Sequence, residues 1–408
     1  MKRTWQKSLA GVLAAVVLLS GCSSVNTQSS SASNSSVSSS QMSSETSTAS
    51  ESSSSSQASE QQEQAVLQSE GMLELSYAKN FSVELYQDGY RMITAGNPSR
   101  RFLIVPQGME IPESLEEDVQ VLQQPIQRVY IDSTSMVSLI DAIGGLDRVK
   151  LVATEEDGWY LENVIEKMQQ GEILYSGSYS EPDYEMMAQN EIQLHIDNTM
   201  IDGNPEVLEK FQELGIPSLV ENSSQESSPL GRVEWVKLFG VLFGMEQEAQ
   251  EYFDQQKSLV EELSAAESTG KTVAMGYITS SGKCYARNGG DYMAQMIQLA
   301  GGEYILAQLN AEKSGNNNLT FEEWYASFQD ADYLFYVNMG NKFYSLQEMI
   351  DYNPLFEDFK AVQQGNVFVT SPDFTQSTAA IGSIIADMNT ILTSDDGQLT
   401  TDHLIRLA

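Results

Sequence analysis

Cysteine, histidine and basic side chains are scarce in this 408-residue chain. Its two cysteines, Cys22 and Cys284, are too few for a disulfide-held fold. Its two histidines, His195 and His403, lie far apart and leave little for an imidazole metal site. Lys and Arg together number 22 against 57 Asp and Glu, a formal charge of −35. That balance excludes a nucleic-acid binder, which must present a basic surface to phosphates. The sequence also lacks Gly-x-Ser-x-Gly, His-Glu-x-x-His, Gly-x-x-x-x-Gly-Lys and Gly-x-Gly-x-x-Gly, the signatures of several hydrolases and nucleotide binders. Acidic residues are everywhere, so a carboxylate-dependent hydrolase stays open.

The chain begins with Lys2, Arg3 and Lys7, then an apolar run over 9–19. This predicts a secretory signal, and the run is too short for a comfortable spanning helix. Leu19-Ser20-Gly21-Cys22 resembles the lipobox of bacterial lipoproteins. The resemblance implies cleavage, acylation of Cys22 and a location on the extracellular face of the cell membrane. Residues 23–60 hold 21 serines in 38 positions, and no Lys or Arg occurs between Lys7 and Lys79. Such a segment buries too little apolar surface to offset chain entropy, so 23–70 is expected to be a disordered tether. Its reach as flexible coil is roughly 40 Å. A cell-surface adhesin or sensor would also suit such a tether.

Beyond it the pattern changes. Residues 81–86 and 90–94 flank Asp88-Gly89 and predict a β-hairpin; 102–105 adds a strand. From 127 onward, short apolar strands (128–132, 149–154, 173–175, 192–196, 218–221) alternate with helices (135–143, 161–170, 184–189, 205–214). Pro229 opens a helical stretch with a break expected near Gly244 and a second helix to about 266. Strands at 272–278, 333–337 and 367–370 and helices at 291–300 and 378–392 resume the alternation. The expected fold is α/β, with two lobes of mainly parallel sheets joined by a long interlobe helix and preceded by a small β-rich annex. The divisions are signal 1–22, tether 23–70, annex 71–126, N-terminal lobe 127–228, interlobe helices 229–266 and C-terminal lobe 267–408.

Several motifs stand in a familiar order. Asn204-Pro205-Glu206 opens a helix after 197–202, and Glu226-Ser-Ser-Pro-Leu-Gly-Arg-Val-Glu-Trp235 leads into the interlobe helices. Leu299-Ala-Gly-Gly-Glu-Tyr304 follows in the second lobe, with Phe321-Glu-Glu-Trp324 before Asp330-Ala-Asp-Tyr-Leu-Phe335. Over about 127–408 the chain resembles the helical-backbone substrate-binding proteins that serve ABC importers of ferric siderophores, haem and cobalamin. The resemblance implies a monomeric binder with no catalysis and no intrinsic cofactor or metal. Its cargo would be a ferric chelate, or alternatively haem or cobalamin. It also implies docking to an ABC permease through one glutamate per lobe, here Glu206 and Glu303, each facing permease arginines.

Ligands of open α/β sheets bind beyond the C-terminal strand ends. The loops expected there carry Trp159, Tyr160, Tyr179 and Met200 in the first lobe. In the second they carry Lys283, Tyr285 and Arg287, with Trp324 further on. Aromatic faces suit a large planar or chelated ligand, and Arg287 suits a carboxylate or catecholate. His195 lies inside a strand pattern and reads as a core residue.

Overall fold

The computed structural model describes residues 67–394 and 399–408. The expected signal, Cys22 and the tether up to residue 66 lie outside the described residues. The annex is a five-stranded sheet of β1 (Ser69–Met72), β2 (Phe81–Tyr86), β3 (Arg91–Ala95), β4 (Arg100–Val105) and β5 (Val119–Gln123), in that spatial order. Its strands are antiparallel except for the β4–β5 pair. Asp88 and Gly89, with φ of 58° and 83°, turn the β2–β3 hairpin as their sequence predicts.

The N-terminal lobe is a fully parallel sheet in the spatial order β12 (Ser218–Glu221), β11 (Leu194–Asn198), β6 (Val129–Ile131), β7 (Val149–Val152) and β8 (Leu174–Tyr175). Chain order gives β6 (Val129–Ile131), α1 (Thr134–Ala142), β7 (Val149–Val152), α2 (Glu162–Gln169) and β8 (Leu174–Tyr175). A two-stranded hairpin of β9 (Gly177–Ser178) and β10 (Glu181–Pro182) follows, then α3 (Tyr184–Gln189), β11 (Leu194–Asn198), α4 (Pro205–Glu213) and β12 (Ser218–Glu221).

Three helices connect the lobes: α5 (Pro229–Glu234), α6 (Val236–Phe243) and α7 (Glu246–Ser264). Ser228 caps α5 through its side chain, and Pro229 takes the first turn, where its missing N–H costs nothing. Gly244, at φ 68°, ends α6 in the left-handed conformation. Gly240 allows α6 and α7 to touch, since a Cβ there would stand 2.7 Å from that of Ala249. The expected break at Gly244 is present, and a further one at Trp235 divides the first helix.

The C-terminal lobe comprises β13 (Thr272–Ile278), β14 (Cys284–Arg287), α8 (Tyr292–Leu299), β15 (Glu303–Tyr304), β16 (Asn316–Leu319), α9 (Phe321–Phe328) and β17 (Tyr333–Tyr336). Then come α10 (Leu346–Tyr352), α11 (Lys360–Gln364), β18 (Val367–Thr370), α12 (Ile381–Thr393) and β19 (Leu404–Arg406). Its sheet runs β16-β14-β13-β17-β18-β19, with β15 also on β13. The β13–β15, β13–β17 and β17–β18 pairs are parallel, whereas β14, β16 and β19 join antiparallel. This lobe is therefore more mixed than the alternation predicts. The β13–β14 hairpin turns at Gly282, at φ 83°.

The annex shares one hydrophobic core with the first lobe and the interlobe helices. Phe81 of β2 packs on Trp235, with ring centroids 4.7 Å apart. Two buried glutamates tie the connection. Glu234 accepts hydrogen bonds from the backbone N–H groups of Ser76, Tyr77 and Ala78 at 2.7–2.9 Å, and pairs with Lys237 Nζ at 3.0 Å. Glu226 Oε1 accepts from the N–H groups of Lys79 and Asn80, each at 2.9 Å, and from Trp235 Nε1 at 3.2 Å. Removing Glu234 would leave three N–H donors and the Lys237 ammonium without their acceptor. Glu234→Ala should therefore lower the unfolding free energy by about 3–5 kcal/mol. Glu234→Gln, which keeps an acceptor, should cost less. Denaturant titration of the two variants checks the order, and equal midpoints in wild type and Glu234→Ala would deny the clamp its weight.

Candidate functional site

The C-terminal ends of the parallel strands in both lobes face a cleft. Between the lobes lies a cavity of about 250 Å³. Strand-end loops after β12, β17 and β18 supply Ser223, Ser224, Val337, Met339, Phe374, Thr375, Ser377 and Thr378 to its wall, and the first turn of α1, just after β6, supplies Ser135. Helices α5, α8 and α12 supply the rest, and Arg287 enters from the end of β14.

Two arginines dominate its electrostatics. Arg287 is 8% exposed, makes no ion pair with an acid among the described residues, and has a buried Nε without a hydrogen-bond partner. Its guanidinium carbon stands 5.8 Å from the Tyr277 ring centroid. Arg232 lies 3.6 Å over the Tyr292 ring and donates through Nε to the Glu226 carbonyl at 3.2 Å and through Nη2 to the Ser224 carbonyl. Those bonds orient the fork without neutralising it. Among the described residues, no Asp or Glu lines the cavity. Ser135, Ser223, Ser377, Thr375 and Thr378 add hydroxyls, and Met293, Met296, Ile381 and Ile384 an apolar floor. The site can therefore receive a compact group bearing negative charge and apolar surface.

The expected contact residues fare unequally. Arg287 lines the cavity; the other seven do not. Trp324 is fully buried in a second hydrophobic core, donating Nε1–H to the Tyr285 carbonyl at 3.2 Å. Trp159 is buried too, its Nε1–H given to the Thr154 carbonyl at 3.1 Å. Both rings are packing elements, a correction to their expected ligand role: each lies on the inward side of its loop or helix. Tyr285 is half-buried and stacks on Tyr277 at 5.1 Å. Tyr160 is 47% exposed and Met200 58%, and Tyr179 is half-buried. Lys283 is exposed in the β13–β14 turn. Arg232 and Tyr292 were not anticipated. Arg232 stands inside the motif that leads into α5, and its one legible signal is that it is a cation in a chain with few.

Glu206 is exposed in the first turn of α4. Glu303 is exposed in β15, just after α8. They sit on separate lobes, and neither makes a salt bridge among the described residues. His195 is buried, as its strand pattern predicts, between Tyr130 and Phe211, with Nδ1 3.1 Å from Ser218 Oγ. No group of three or more His, Cys, Asp or Glu that could hold a metal occurs among the described residues.

Buried acids gather at the strand ends of the first lobe. Burial lifts Asp197 to about 6 and Glu221 to about 7, and burial with the neighbouring Asp197 holds Asp132 well above the carboxylate range. His195 lies 3.3 Å from Asp197 through Nε2, a distance that suits an ion pair. Burial prevails, pushing His195 down to about 3, so it is neutral. Glu221 is held protonated in the fold below about 7 but would ionise near 4.5 when unfolded. Its contribution is thus complete below about pH 4.5 and is lost as pH rises to about 7. Glu221→Gln keeps the acceptor for the Ser223 N–H and removes the titration. It should match wild type in thermal stability at pH 4 and exceed it at pH 8, by about 3 kcal/mol at most. Parallel melting curves at the two pH values would refute this.

A two-lobed α/β body whose parallel strands end on a common cleft, with helices as the connection, is the build of a solute-binding protein. The profile of the periplasmic binding protein family matches residues 155–374, more than half of the chain, and the chain belongs to that family. It is 28% identical over 343 residues to an uncharacterized lipoprotein of Methanocaldococcus jannaschii, covering 78% of this chain and 81% of that protein. A second uncharacterized lipoprotein of the same organism is 21% identical over 315 residues, covering 74% and 78%. Among solved structures, a possible iron-binding (periplasmic solute-binding) protein of Staphylococcus epidermidis superposes with a TM-score of 0.53 at 15% identity. The match covers 66% of this chain and 99% of that one. A periplasmic haem-binding protein of Vibrio cholerae gives the same TM-score, identity and coverage. These likenesses establish the two-lobed fold.

Proposed function

We propose that this protein is a lipid-anchored, extracellular solute-binding protein that captures an anionic ferric chelate and delivers it to an ABC importer. The carrying observation is the pair of arginines, Arg232 and Arg287, that line the interlobe cavity while no acid among the described residues lines it, in a chain of charge −35. Free cations are costly to bury unless a partner compensates them, and here the compensating charge would arrive with the cargo. Iron binding is named for the Staphylococcus epidermidis structure, and Fe3+-hydroxamate transport for a Saccharomonospora viridis structure of TM-score 0.50 and 16% identity. Both agree with an iron complex. The Leu19-Ser20-Gly21-Cys22 motif and the lipoprotein names of the two relatives support the anchor. Family membership favours binding without turnover over the hydrolase reading.

Titration with ferric citrate, ferric catecholate and hydroxamate chelates, haemin and cyanocobalamin, followed by tryptophan quenching, tests the reading. Saturable one-to-one binding of an anionic ferric chelate is expected. Arg287→Ala and Arg232→Ala should each weaken it about tenfold or more, the scale of a lost charge-assisted contact. Tighter binding of cobalamin, or arginine variants with unaltered affinity, would end the anionic-chelate assignment.

Docking is read separately. Glu206 and Glu303, one exposed acid on each lobe, are the proposed contacts for permease arginines. The double variant Glu206→Ala with Glu303→Ala should abolish uptake while ligand affinity stays within about twofold, because neither residue lines the cavity. Uptake at the wild-type rate would remove them from the interface.

A further inference from the structure

One residue of a segment that walls the cavity is absent from its lining. After β18 the chain runs through 371–380 before α12, and Phe374, Thr375, Ser377 and Thr378 line the cavity on either side of Gln376. Gln376 does not line it. Its side chain crosses to the other lobe, is 5% exposed, and spends its amide on the backbone after β7. Oε1 accepts the Tyr160 N–H at 2.9 Å, and Nε2 donates to the Gly158 carbonyl at 2.8 Å. A primary amide facing a backbone donor and acceptor two residues apart copies the two-sided pairing of a β-bridge, so length and orientation are both specified. Asparagine is too short for the same span, and glutamate lacks the donor. A second crossing lies one turn on, where the Ala379 N–H donates to Ser138 Oγ at 3.3 Å.

The receiving loop is stiff. A 3-10 turn spans Glu156–Gly158, and the buried Trp159 ring fixes it through Nε1–H to the Thr154 carbonyl. The loop and the 371–380 segment are thus drawn together as bodies. With this clamp made, the enclosed volume is about 250 Å³. Sites that bury drug-sized ligands run to roughly 300–1,000 Å³. Larger cargo must part the rims first.

We infer that Gln376 is a positioning residue: it clamps the two rims of the cleft and sets the size of cargo that enters without lobe separation. The size limit rests on the solute-binding reading above; the clamp itself does not.

Two readouts on the full chain separate them. Without ligand, the Tyr160 amide should exchange slowly with solvent in wild type. In Gln376→Ala it should exchange about tenfold faster or more, the scale of two lost hydrogen bonds. Gln376→Met keeps the bulk and should behave alike, so that it serves if the alanine variant folds poorly. Unchanged Tyr160 exchange in either folded variant would overturn the clamp. The second readout compares ferric citrate, a small probe, with haemin, a large one. Both variants should raise the haemin association rate several-fold while leaving that of ferric citrate within about twofold. Equal acceleration of both, or of neither, would overturn the size limit. If wild type binds neither probe the size limit falls with the cargo reading, and the exchange measurement still decides the clamp.

Discussion

The structure depends on two glutamates that have lost contact with water. Glu226 and Glu234 stand at the start of the interlobe helices and between them collect five consecutive backbone N–H groups, from Ser76 to Asn80. That stretch has no regular partner of its own, and buried N–H groups must be satisfied somewhere. The two carboxylates provide the acceptors, and Lys237, which also donates to the Glu74 carbonyl at 3.1 Å, supplies the balancing charge. The annex, the first lobe and the connecting helices are therefore one packed body. Arg232 inherits its position from the same place, since its Nε bonds the Glu226 carbonyl. An interaction that anchors the annex thereby also aims a cation into the cleft.

Charge is sorted across this body. Acidic side chains cover the exterior, yet the wall of the cleft carries two arginines, hydroxyls and methyl groups. Three buried acids of the first lobe, at the ends of β6, β11 and β12, have their proton affinity raised by burial. Each proton they hold removes a negative charge that would otherwise oppose the field of the arginines.

Much of the frame is legible in sequence. Strands 218–221, 272–278 and 367–370 and the helix 184–189 have the bounds that their patterns predict. The Asp88-Gly89 turn follows from local chemistry alone. Among the elements that escape are β14, β16 and β19, whose pairing is decided by tertiary neighbours: the Asn316-Asn-Asn-Leu319 segment has no strand propensity of its own. The site is less legible than the frame. Spacing puts an aromatic near a strand end without saying which way its ring points. Trp324 follows a capping box of Thr320 and Glu323 and faces inward, so a residue chosen for the cleft builds the core. Arg232 escapes for the converse reason, standing in a helix-start motif that reads as architecture.

The few imidazoles and thiols carry a consequence of their own. His195 and Cys284 are buried, and His403 is engaged with Asp387 through Nδ1 at 2.8 Å. None of the three lines the cavity, where the sulfur donors are thioethers, which bind hard ferric iron poorly. A wall so composed offers a metal little besides hydroxyls and the Tyr292 phenol. Such a wall would recognise a solute through its outer surface, meeting charge with the two arginines and apolar area with the floor.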